Sequence, residues 1–199
     1  KGQATVGNLN FQERDNTDYL IYEGSTDPVY NGSLGNTFNY KGFHLNVFLT
    51  YAFGNVVRLD PAFSAKYNDL TSMTHDFKNR WMQPGDENVT NVPGVVSRYE
   101  YEQNSTLLAT AYNAYNYTSV RTAKGDFIRL KEISLAYDFP HRWFEKSPVN
   151  NISLKLQATN LMLLYADKKL NGQDPEFMNA GGVASPMPKQ FTLTLKLGL

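Results

Sequence analysis

The sequence contains no cysteine. That excludes disulfides, thiolate-bound structural zinc and cysteine nucleophiles. No run of roughly 18 apolar residues occurs, so no transmembrane helix is encoded. The 19 basic and 19 acidic residues cancel, so charge predicts no nucleic-acid partner and no pull toward anionic surfaces. Tryptophan is scarce, with 2 copies. The opening "KGQATVGNLNF" has no initiator Met and no basic or apolar leader, so no signal peptide is visible and the start reads as the interior of a longer protein. What the chain does have is 13 Tyr and 12 Phe, most of an aromatic content of 14%. Such a composition suits strands and interfaces better than helices. Its 199 residues are enough for one ordinary domain.

Strand patterns dominate. In "FHLNVFLTYAF", Phe43 to Phe53, every second residue (Phe43, Leu45, Val47, Leu49, Tyr51, Phe53) is apolar or aromatic. The residues between are mostly small or polar, which is the period of a strand with one greasy and one wetter face. Gly32–Tyr40 puts Leu34, Phe38 and Tyr40 on one face, and Lys41-Gly42 is a minimal turn joining the two strands into a hairpin. Ile128–Phe139 alternates at Ile133, Leu135, Tyr137 and Phe139, but Ile128 and Leu130 are out of phase. Either a bulge resets the register near Lys131, or the strand rises beyond the buried zone there. Ile152–Leu164 and the closing "QFTLTLKLGL" alternate as well, and Ala4–Phe11 is a weaker strand.

The connections are unequal. Lys41-Gly42 and Pro140–Asn151 are short, whereas roughly seventy residues separate Phe53 from Phe127 and roughly twenty-five separate Leu164 from Gln190. With strands running alternately up and down, both short links fall on one side and the long ones on the other. Outer-membrane barrels have that asymmetry, and a tilted spanning strand needs about 9–11 residues. Aromatics at the strand ends, including Tyr40, Tyr137 and Phe139, suit interfacial girdles. A soluble β-sandwich also alternates, and both readings stand on pattern alone. About six strands are too few to close a barrel, since the smallest use about 8. The chain therefore either needs partner strands or has lost its other ones.

Several motifs resemble the SusC/RagA family of TonB-dependent outer-membrane transporters. They are "GSLGNTFNYKGFHLNVFLTYAFG", "RWMQPGDE" (Arg80–Glu87), "GDFIRLKEISLAYDFP" (Gly125–Pro140), "LQATNLMLL" (Leu156–Leu164), "DPEF" (Asp174–Phe177) and "PMPKQFTLTLKLGL". The resemblance runs over nearly the whole chain. It implies an all-β fold of antiparallel transmembrane strands, residues 1–199 being the terminal portion of a 22-stranded barrel with long extracellular loops. The plug and the N-terminal TonB-contacting region have no counterpart in these residues. It further implies a place in the bacterial outer membrane, among its lipids. Oligosaccharides or peptides would be imported, with a SusD-like lipoprotein and TonB as partners. The alternative is a β-sandwich that binds glycan without transporting it. Composition does not choose the nutrient. By resemblance, the last strand, with Phe191, Leu193, Leu195, Leu197 and Leu199 on one face, is the barrel assembly signal. Leu199 departs from the usual terminal aromatic.

No catalytic constellation is legible, so no enzyme is expected, and nothing requires a cofactor. His44, His75 and His141 are scattered, and His44 reads as a lumen-lining polar residue, not a metal ligand. "RDNTDY" (Arg14–Tyr19) lacks the glycine and distal glutamate of a calcium loop. "AYNAYNYTSV" (Ala111–Val120) reads as a loop. There Tyr112, Asn113, Tyr115, Asn116 and Tyr117 combine stacking faces with amides, the chemistry of a substrate contact; packing within the loop is the plainer role. "RYEYEQN" (Arg98–Asn104) has the same character. Phe63, Tyr67, Leu70 and Thr74 approach helical spacing and predict a helical start, which Pro84-Gly85 ends. Trp81 is expected to anchor this loop.

Overall fold

The structure is a computed structural model and describes residues 18–67, 70, 72–178 and 187–198. The predicted strand at Ala4–Phe11, most of Arg14–Tyr19, and Leu199 lie outside the described residues. The elements run β1 (Tyr30–Tyr40), β2 (Phe43–Phe53), β3 (Val56–Arg58), α1 (Arg98–Asn116), β4 (Thr122–Lys124), β5 (Phe127–Asp138), β6 (Asn151–Ala166), α2 (Pro175–Met178) and β7 (Gln190–Gly198). Two compact units share them: a strand unit of Ser25–Val56, Lys124–Lys168 and Gln173–Leu199, and a loop unit of Lys1–Gly24, Val57–Ala123 and Lys169–Gly172.

The strand unit is a five-stranded antiparallel sheet in the order β1-β2-β5-β6-β7. β2 has the bounds that the alternation predicts. The turn before it has φ of 46° at Lys41 and 84° at Gly42, two left-handed residues in succession, as the tightest hairpin turns require. Directly opposed residues share a face. One apolar row therefore runs Phe38, Leu45, Leu135, Leu156, Leu193, and the next runs Asn36, Val47, Ile133, Ala158, Phe191. Asn36 is the polar exception. The face is open: Phe191 and Leu193 are 71% and 68% exposed.

The phase break in β5 is a bulge. Phe48 faces Glu132 and Leu49 faces Leu130, so Lys131 is the extra residue. Skipping it returns Leu130 and Ile128 to the apolar face, opposite Leu49 and Tyr51. β6 adjusts at the same height, where Leu130 faces Met162, Glu132 faces Thr159, and Asn160 between them has a φ of 53°. The β5–β6 register therefore shifts beside the bulge as well.

The loop unit has a core of its own. Phe63, Ala65 and Tyr112 are buried, with Phe77, Val92, Val96, Tyr101, Leu108, Ala111 and Tyr115 packed on them. The predicted helical start after Phe63 is not there. Among the described residues of 63–87 only 3₁₀ turns occur, at His75–Asn79 and Asp86–Asn88. Phe63 is 3% exposed and Leu70 is 96% exposed, so the spaced apolar residues do not form one buried face.

The helix lies instead where a loop was expected. Ser97 caps α1 by accepting from the Glu100 backbone N–H, while the Glu100 carboxylate accepts from the Ser97 N–H. This reciprocal box satisfies two otherwise orphaned donors. Arg98 and Glu102 pair one turn apart at 2.8 Å. Ala111–Asn116 is thus the last part of a helix, and Tyr112 and Asn116 share its buried side.

Candidate functional site

Chemistry-bearing residues gather on the polar face of the sheet. Rows there run Thr37, Asn46, Ser134, Gln157, Thr192 and Asn39, His44, Ala136, Lys155, Thr194. At the turn end, His44 Nδ1 lies 2.6 Å from Asn39 Oδ1, and its Nε2 lies 2.9 Å from Asp138 Oδ2. His44 therefore bridges β1 and β5 across its own strand. It stands among polar groups on the wetter face, where the alternation put it.

Farther along the same face a buried cation organises the surface. Arg129 lies on β5 opposite Thr50, with its side chain 7% exposed. Its Nη2 donates to Asp174, and its Nε faces Glu176 Oε2 at 3.2 Å. A buried guanidinium needs such pairing, because uncompensated charge in a desolvated place is strongly unfavourable. The pair ties the short helix α2 to the strand wall. Sequence reading missed this cluster: "IRLKEI" and "DPEF" were both visible, but only the fold joins them.

Beside the bulge a cleft of about 560 Å³ opens, lined among others by Asp27, Asn31, Thr50, Asn55, Lys131 and Glu176. Asn55 is buried, and its Oδ1 has no hydrogen-bond partner. The lining carries carboxylates, amides, a hydroxyl and an ammonium, groups able to hydrogen-bond a polar molecule. Among the described residues, no cluster of three His, Asp or Glu is arranged to hold a metal ion.

The five candidate substrate residues separate by environment. Tyr112 is buried and its hydroxyl donates to the Gly94 carbonyl. Burial pushes its phenol up to about 12. Asn116, also buried, accepts from the Phe63 N–H at 3.2 Å and donates to the Phe63 carbonyl at 2.7 Å. Tyr115 meets Phe63 edge-on at 5.2 Å, and burial is the first cause raising its phenol. Asn113 is exposed. Tyr117 is 54% exposed, with the Arg58 guanidinium 5.6 Å from its ring centre. Trp81 anchors its loop as expected, donating to the Thr90 carbonyl at 2.7 Å. Phe191, Leu193, Leu195 and Leu197 lie on the apolar face of β7, paired with Ala158, Leu156, Leu154 and Ile152.

An antiparallel wall with one exposed apolar face and one polar face is the construction of a portion of a β-barrel. No helix among the described residues is long and apolar enough to cross a membrane, which leaves strands that cross untouched. The chain resembles a SusC/RagA-like segment of a TonB-dependent transporter. It is similar to TonB-dependent receptor P39 of Formosa agariphila, with 25% identity over 192 residues, covering 90% of this chain and 17% of that protein. Among solved structures it resembles a RagAB peptide importer in an open-open state, with a TM-score of 0.60 and 21% identity over 89% of this chain and 18% of the other. A second RagAB peptide transporter structure gives a TM-score of 0.59 and 22% identity over 88% of this chain and 18% of that one. At such identities the structural likeness speaks for the fold alone. The chain spans less than a fifth of the length of each of these relatives. No protein-family model matches it.

Proposed function

We propose that the chain is part of the wall of an outer-membrane transporter that imports oligopeptides or oligosaccharides, driven by TonB. The observation that carries this reading is the apolar face. Its rows cross all five strands, with Phe38, Leu135, Leu156, Phe191 and Leu193 exposed, and aromatics stand at their ends, with Phe43 and Tyr137 rings 4.4 Å apart at one end and Tyr51 and Phe53 5.6 Å apart at the other. Lipid satisfies such a face without any second protein layer. A β-sandwich would cover it with another sheet, and among the described residues of the strand unit none does so.

On this reading the segment is the terminal portion of a 22-stranded barrel, residues 1–199 being barrel strands and their loops. Lys41-Gly42 and Pro140–Asn151 face the periplasm, and Val56–Lys124 lies outside the cell. A SusD-like lipoprotein is the extracellular partner, and TonB engages the plug end of the whole protein. The solved structures of similar fold are named as peptide importers, and oligopeptide is the cargo that the test uses. The exposed Asn113 and Tyr117 are the members of the helix cluster available to cargo or lipoprotein, while Tyr112, Tyr115 and Asn116 hold the loop in shape. The alternating face of β7, with Phe191, Leu193, Leu195 and Leu197, serves as the assembly signal by strand addition.

The test uses the full-length transporter in its own cells. Uptake of labelled oligopeptides is expected to require TonB, and an epitope at Asn104 should be labelled on intact cells while one at Lys146 is not. TonB-independent uptake, or the reverse labelling, overturns the reading. Leu195→Asp should sharply reduce surface protein at matched expression, because it places a carboxylate on the lipid face. Normal surface levels would remove the assembly role from β7.

A further inference from the structure

We propose that the link between β5 and β6 is a membrane-interface anchor, with Trp143 seated among phospholipid headgroups. This rests on the lipid-facing part of the transport reading and names a contact that the strands themselves do not make. The first observation is how the link folds. Pro140 cannot donate to a ladder, so pairing stops there. A 3₁₀ turn follows at His141–Trp143, closed by the Trp143 N–H on the Pro140 carbonyl at 3.0 Å. The Phe139 N–H donates to the Ile152 carbonyl at 3.0 Å, which pins the start of the link to β6. The turn brings the Trp143 ring to 5.7 Å from Phe139, which lies 5.0 Å from Tyr137, itself 4.4 Å from Phe43. Phe43 and Tyr137 oppose each other on the apolar face. A chain of four rings thus leads off that face into the link.

The second observation is the contrast between the two tryptophans. Trp81 gives its indole N–H to the Thr90 carbonyl at 2.7 Å. Trp143 is 62% exposed, and among the described residues its indole N–H meets no acceptor. An apolar ring with an unused donor matches a layer that is apolar on one side and rich in acceptors on the other. The ester and phosphate layer of a bilayer is such a place, and tryptophan is enriched there. Lys41 stands on the same rim, its Nζ 5.1 Å from the ring centre of Tyr40, which pairs with Phe43. Long basic side chains at a membrane interface lay their stems on apolar surface and hold the charge among the headgroups.

The dimensions select a bilayer over a second protein as the partner. β2 has 11 residues from Phe43 to Phe53, about 33 Å at about 3.3 Å per step. At a tilt of about 40° this gives about 25 Å of height, that of the apolar band of an outer-membrane barrel. Phe139 comes two residues past Tyr137, about 7 Å farther along the chain. Trp143 packs on it, and so stands past the edge of the band, at headgroup level. On the proposed topology this is the periplasmic leaflet.

Tryptophan fluorescence of the full-length transporter in phosphatidylcholine vesicles tests this. The emission of Trp143 is the difference between the wild type and Trp143→Phe, with native β-structure of both checked by circular dichroism. Lipids brominated near the glycerol end of the acyl chain should remove most of that difference. Lipids brominated at mid-chain, and aqueous iodide, should remove little of it. Full quenching by iodide with no effect of the brominated lipids overturns the inference, because Trp143 then lies in water. Stronger quenching from mid-chain overturns it too. So does shielding from lipid and iodide alike, which puts another part of the protein over the ring. A second reporter, Leu156→Trp in the Trp143→Phe background, separates the anchor from the lipid-facing reading. Leu156 lies on the apolar face opposite Leu135, and its replacement should be quenched from mid-chain. If that reporter meets lipid and Trp143 does not, the anchor is removed and the barrel wall stands. If neither meets lipid, the apolar face is not in the bilayer and the transport reading loses its support.

Discussion

The strand unit and the loop unit solve opposite problems. In the loop unit, Phe63 and Tyr112 are buried and carry an aromatic core, as in a small water-soluble domain. In the strand unit, Leu34, Phe38, Leu156, Phe191 and Leu193 are exposed along one face, while polar side chains crowd the other. Each unit buries its own cation: Arg121 in the loop unit, Arg129 in the strand unit. The loop unit thus gains its order from internal burial, and the strand unit, on the proposed reading, from an external apolar phase.

The largest expected effect is at Arg121. Its Nη1 donates to Asp76 at 3.2 Å, its Nη2 donates to the Asp60 carbonyl at 2.9 Å, and its guanidinium lies 4.8 Å from the Phe63 ring centre. Arg121→Ala leaves Asp76 short of its partner and should cost about 3–5 kcal/mol of loop-unit stability. Hydrogen exchange should rise across α1 and stay unchanged in β2 and β5. Uniform exchange gains in both units would mean that they are not energetically distinct.

Next comes the contrast within β2. Val47 pairs with Ile133 on the apolar face, and Asn46 pairs with Ser134 on the polar face. Val47→Arg should cost about 2–4 kcal/mol of folding stability in lipid, the range for a cation near a bilayer midplane. Asn46→Arg should cost much less. Equal losses at the two positions in the full-length transporter would erase the difference between the faces.

The smallest effect is one of pH. The Tyr112 phenol is raised from an unfolded value near 10 to about 12. A raised folded value means stability fully present below pH 10 and lost as pH climbs through 12. Tyrosine fluorescence and exchange should therefore report loosening of the loop unit in that window, and Tyr112→Phe should remove part of it. Melting of β1–β2 in the same window would show that the loop core is not its source.

By itself the sequence determined the five long strands of the sheet and most of their faces. A strand's period of two is local, and so is the Lys41-Gly42 turn, which needs only two left-handed residues. β2 is therefore found where the pattern ended. The resemblance to SusC/RagA transporters was legible because motifs are strings. The cap of α1 is also a local signal, Ser97 with Glu100 three residues on, which the sequence reading missed. Only the tertiary structure decided the rest. Alternation left two accounts of Ile128 and Leu130, and pairing with β2 chose the bulge at Lys131. Arg129 meets Asp174 and Glu176 across 45 residues or more, and Asn116 meets Phe63 across 53. The physical reason is common to all three. A register, a buried ion pair and an amide bracket are relations between distant segments, and their energy exists only once the chain has brought those segments together.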